Sequence, residues 1–85
     1  MMAPEQEHGR AMLLRLTAER LRRGWSKAEL ARRARLDQAN LSRIESGRVR
    51  PYEVELRRLA RALGLPADDA EDLLRQVAAP AGLDA

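Results

Sequence analysis

The sequence predicts an all-α fold of five short helices, and three observations carry that expectation. Its 85 residues are enough for one hydrophobic core and too few for two. Apolar residues recur three and four apart in several stretches, the spacing that lines one face of a helix. Those stretches also have written ends: Ser26-Lys27-Ala28-Glu29 is a capping box, Asp37 is an N-cap, and Gly24, Gly47 and Gly64 stand where helices stop. Residues 1–9 carry no periodicity and are read as a flexible leader, 10–77 as the domain and 78–85 as a flexible tail.

Helix 1 is expected from Arg10 to Arg23, with Leu13 or Leu14, Leu16 or Thr17, Leu21 and Trp25 along one side. Trp25, the single tryptophan, is read as a core plug where two helices meet. Helix 2, about Lys27 to Ala34, turns Leu30, Ala31 and Ala34 inward. Only Arg35 and Leu36 separate it from the cap at Asp37, so helices 2 and 3 must cross steeply, as in a helix-turn-helix. In helix 3, about 38–46, Leu41 and Ile44 are the only large apolar residues, and Gln38, Ala39, Ser42, Arg43 and Ser46 are left for the other faces. A helix this polar faces something wet. It would span about 13 Å at about 1.5 Å per residue, close to the ~12 Å width of the B-DNA major groove.

A basic loop, Arg48-Val49-Arg50, then meets Pro51, which suits the opening of a helix. Helix 4, about Tyr52 to Leu63, lines up Leu56, Leu59, Ala60 and Leu63. Pro66, Asp68 and Asp69 mark the start of helix 5, whose apolar side is Ala70, Leu73, Leu74 and Val77.

Charge is segregated along the chain. Residues 10–61 hold 15 of the 16 basic residues against six acids, whereas residues 62–85 hold only Arg75 against five acids. The middle suits a polyanion and the end does not. There is no cysteine, and the one histidine, His8, has no partner at metal-binding or catalytic spacing. No nucleophile with a base, carboxylate pair or phosphate-cradling glycine loop is present, so no enzyme activity and no cofactor are expected. No apolar run approaches the ~20 residues of a membrane span, and the start lacks the pattern of a targeting segment. A cytoplasmic, nucleoid-associated protein with no membrane contact is expected.

Ser26-Lys27-Ala28-Glu29-Leu30-Ala31, the spacing to Leu41-Ser42-Arg43-Ile44-Glu45-Ser46-Gly47, and the closing Pro51 with Leu59-Ala60-Arg61-Ala62-Leu63-Gly64-Leu65 resemble the XRE family. This is the Cro and phage-repressor type of helix-turn-helix domain, and the likeness runs over about residues 13–74. The resemblance implies a five-helix lambda-repressor-like domain that binds double-stranded DNA and regulates transcription, as a repressor in the first instance. Gln38, Ala39 and Arg43 fall where such proteins read bases. Chemistry agrees: the amide of Gln38 matches adenine, the fork of Arg43 matches guanine, and Ala39 offers a methyl to thymine. Lys27, Asn40, Arg48 and Arg50 fall at positions of DNA-backbone contact, and Arg20 with Glu45 matches a structural ion pair.

A homodimer on an inverted repeat is expected, because one such helix reads only a few base pairs. Leu73, Leu74 and Val77 are its candidate interface, unless they serve only the chain's own core. The rival reading is an antitoxin or interaction module whose acidic C-terminal part binds a partner protein. The plain alternatives for the site are a solvated helix end at Gln38 and a merely soluble loop at Arg48 and Arg50. The sequence departs from the family at Arg35, where the turn usually carries glycine.

Overall fold

The computed structural model describes residues 12–80. It contains a short strand β1 (Met12–Leu14), helices α1 (Arg15–Arg22), α2 (Lys27–Ala34), α3 (Gln38–Glu45) and α4 (Glu53–Ala62), two 3₁₀ turns (Ala67–Asp69 and Glu71–Leu74), and a strand β2 (Gln76–Ala78). The fold is mostly helical, as expected, with the fifth helical segment in 3₁₀ rather than α geometry. The expected leader, 1–9, lies outside the described residues. Of the expected tail, Ala78 is a strand residue.

The local signals in the middle of the chain act as read, except for half of the capping box at Ser26. The Ser26 hydroxyl accepts from the backbone N–H of Glu29 at 3.0 Å and opens α2. Glu29 does not return the bond, because its carboxylate is drawn to Arg32 and Arg33, each at 2.6 Å. Asp37 caps α3 by accepting from the N–H of Asn40 at 3.1 Å. Pro51 is buried just before α4, and the N–H of Tyr52 donates to Glu55 at 2.9 Å.

α2 ends in a Schellman turn, with Leu36 N–H donating to Ala31 C=O at 2.8 Å around Arg35 at φ 59°, ψ 45°. That is the left-handed region, where a side chain crowds the backbone and costs about 1 kcal/mol relative to glycine. Arg35→Gly is therefore expected to stabilise the domain by about 1 kcal/mol, raising Tm by about 4–8 °C at this chain length. A thermal melt followed by circular dichroism checks it; an unchanged or lower Tm would mean that Arg35 gains as much from its surroundings as it loses in strain.

Two expectations need correction. Helix 1 does not run from its predicted start: residues 12–14 are extended and pair antiparallel with 76–78, Met12 opposite Ala78 and Leu13 opposite Val77. No Ser, Thr, Asp or Asn stands before Arg15 to cap the helix. Its first N–H is instead satisfied across the ribbon, by Arg75 C=O at 2.7 Å. Nor does residue 66 open a continuous α-helix. The 3₁₀ period of three residues stacks Ala70 over Leu73, both buried. Asp72 then accepts from Arg75 at 2.9 Å and from Arg15 at 2.6 Å, and Arg75 turns extended into β2. Arg75 and Arg15 together hold the pKa of the Asp72 carboxyl down to about 2.

The core consists of Leu16, Leu30, Leu41, Ile44, Leu56, Leu59 and Leu73, fully buried, with Ala31, Ala34 and Ala60 where helices cross closely. Trp25 packs on its edge, half-buried, under the guanidinium of Arg33 at 4.1 Å. Leu73 thus belongs to the chain's own core and has no surface for a partner. Leu74 and Val77 are half-buried and keep some.

Candidate nucleic-acid interface

The corner between α2 and α3 fixes how α3 is presented. Its inner face, Leu41 and Ile44, is sealed in the core, so the side chains on the opposite face must point away from the domain. Gln38, Ala39 and Arg43 are the exposed residues of that face. They form a short polar strip bounded by the Asp37 cap at one end and the turn at Gly47 at the other.

The flanking residues differ in how free they are. Lys27, the first residue of α2, reaches across to Ser42 on α3, Nζ to Oγ at 3.3 Å, and so brings the start of α2 beside the strip. Asn40 is half-buried, and its side-chain amide donates to Glu55 at 3.2 Å, tying α3 to the start of α4. Arg48 and Arg50 are exposed in the loop after Gly47. Arg50 meets Glu71 at 2.8 Å across the surface, a pair open enough to solvent to be worth little.

Behind the strip, Arg20 and Glu45 form a two-pronged ion pair, Nε to Oε2 at 2.8 Å and Nη2 to Oε1 at 2.9 Å. A third nitrogen of Arg20 donates to the carbonyl of Trp25 at 2.9 Å. The two side chains are 9% and 4% exposed, so this charge pair is inside the protein. It clamps α1 to the last turn of α3, where a glutamate would otherwise face the negative end of the helix dipole.

Three contributors escape a reading of the sequence alone. Ser42, which by its spacing is only a face residue, is the partner of Lys27. Glu55 holds both Tyr52 and Asn40. The spacing Tyr52-x-x-Glu55 is that of a capping box, and only the tyrosine in place of serine or threonine hides it. Tyr52 itself stands 77% exposed at the start of α4, beside the basic loop.

Comparison with known families supplies the deciding observation: a family model described as a helix-turn-helix domain matches residues 11–73. The chain belongs to the helix-turn-helix domain family. The match spans every element from β1 through the second 3₁₀ turn up to Leu73, and it is consistent with the XRE-type resemblance. Comparisons with curated proteins and with solved structures returned no match. Helix-turn-helix domains bind DNA through their second helix, which makes this chain a DNA-binding regulator and assigns α3 the position of that helix. No helix among the described residues is long and apolar enough to cross a membrane.

Proposed function

We propose that this helix-turn-helix domain is a sequence-specific repressor that lays α3 in the major groove and binds as a homodimer on an inverted repeat. The observation that carries this reading is the two-sidedness of α3, with Leu41 and Ile44 sealed inside and Gln38, Ala39 and Arg43 exposed. In this arrangement Gln38 and Arg43 read base edges, Ala39 offers an apolar contact, and Lys27, Asn40, Arg48 and Arg50 hold the backbone on either side. Leu74 and Val77 are the residues of the candidate dimer face that keep surface for a second copy. The rival reading, a protein partner for the acidic C-terminal part, loses some ground because two of those acids, Asp69 and Asp72, already meet Arg15 of this chain.

Fluorescence anisotropy with DNA from upstream of the chain's own coding region, beside an unrelated duplex and at two salt concentrations, tests the proposal. Binding to the upstream DNA is expected to be about a thousandfold tighter than to the unrelated duplex and to weaken as salt rises. Equal affinity for both duplexes would overturn sequence specificity, and no binding at low salt would overturn the DNA reading altogether. Sedimentation in the absence of DNA at tens of micromolar, about where a weak dimer still forms, checks the homodimer.

A further inference from the structure

A second concentration of positive charge lies away from the recognition strip. The end of α2 and the outer face of α4 flank an open cleft of about 510 Å³ lined by Arg32, Arg33, Arg35, Arg58 and Arg61, with two alanines as its other lining residues. α3 contributes nothing to it. Arg32 and Arg33 share the carboxylate of Glu29. Among the described residues no carboxylate forms an ion pair with Arg35, Arg58 or Arg61. Arg58 and Arg61 are three apart on one helix, where like charges repel. Arg35 lines the same cleft from a backbone conformation that favours glycine. Five arginines thus line one surface cleft, and among the described residues Glu29 is the only carboxylate pairing any of them.

We propose that this cleft is a binding site for a linear polyphosphate group, recognised through its phosphates alone. Guanidinium forks match phosphate oxygens two at a time, and several arginines spread along one cleft, Arg35, Arg58 and Arg61 without a carboxylate partner among the described residues, suit a chain of phosphates better than a single one. The cleft has no aromatic or large apolar lining on which a nucleobase could stack, so a nucleotide and a mineral polyphosphate are held by the same contacts. Its volume is in the range of small-ligand sites, about 300–1,000 Å³. The proposal does not depend on the DNA reading, since the residues are separate.

Calorimetric titration of the full chain at fixed ionic strength tests it with tripolyphosphate, ATP and inorganic phosphate as probes. Tripolyphosphate and ATP are expected to bind saturably with similar affinity, and inorganic phosphate about tenfold or more weaker. The double variant R58A/R61A, at exposed positions where alanine favours the helix, is expected to weaken tripolyphosphate binding about tenfold or more. R48A/R50A, on the DNA-facing loop, leaves it unchanged. Arg35→Gly supplies an independent check, because it weakens the anion's binding while raising Tm. Affinity unchanged in R58A/R61A, affinity abolished in R48A/R50A, equal binding of inorganic phosphate, or ATP binding far more tightly than tripolyphosphate would each overturn the proposal.

Discussion

Replacing Glu45 by alanine is expected to lower the stability of the domain by about 3–5 kcal/mol, read as a shift of the urea midpoint by circular dichroism. The loss is large because of what stays behind. Arg20 is 7% exposed, and without Glu45 its charge is left with one carbonyl, that of Trp25, as a partner. Against a total stability of about 5–15 kcal/mol for a domain of this kind, that is a substantial part. The double replacement Arg20→Met with Glu45→Leu removes both charges and is expected to recover most of the loss, since the attraction within a buried pair is largely offset by the cost of drying it. A loss of under about 1 kcal/mol in Glu45→Ala, the range of an exposed pair, would show that Arg20 swings out to water and that the clamp between α1 and α3 is slack.

Arg43→Ala is expected to leave stability unchanged and to erase about 1–3 kcal/mol of preference for one base pair of the operator. Arg43 is exposed and makes no side-chain hydrogen bond among the described residues, so its removal empties nothing inside the domain. Competition between the operator and copies altered one base pair at a time would find the position where the variant has become indifferent. Arg48→Ala provides the contrast: without its grip on a phosphate, binding to every duplex weakens alike and the salt slope falls by about one. If Arg43→Ala behaves in that second way, Arg43 grips phosphate, and base reading falls to Gln38 and Ala39.

The sequence is most legible where structure is decided by neighbours. Ser26 and Asp37 each cap the helix that follows by a bond to a residue three positions on, so α2 and α3 can be read from short windows. The strip on α3 follows from them, because the buried positions Leu41 and Ile44 fix which residues face out. What windows cannot show is pairing between distant segments. Arg15 meets Asp72 from 57 residues away, and the partner of its backbone N–H is Arg75. The apolar spacing of Ala70, Leu73, Leu74 and Val77 fits an α-helix, yet only Ala70 and Leu73 share a face in the observed 3₁₀ geometry. Val77 lies instead in a strand whose partner, Leu13, has the spacing of a helix 1 residue. Leu73 drops out of the expected dimer face for the same reason: whether a leucine turns into the core depends on the backbone around it.

The register of the ribbon also sets how the domain responds to force. Met12, at the leading end of β1, lies opposite Ala78, at the trailing end of β2, so both strands leave the domain at the same corner. Tension applied to the chain on either side therefore peels the ribbon open one rung at a time and does not slide the strands past each other in shear. Peeling loads each hydrogen bond alone. Once the last rung parts, Arg75 is drawn away from the first turn of α1, and the helix loses the carbonyl that serves as its cap. The domain is mechanically soft where the ribbon joins it, while the caps at Ser26 and Asp37 that frame α2 and α3 are made by bonds outside the ribbon.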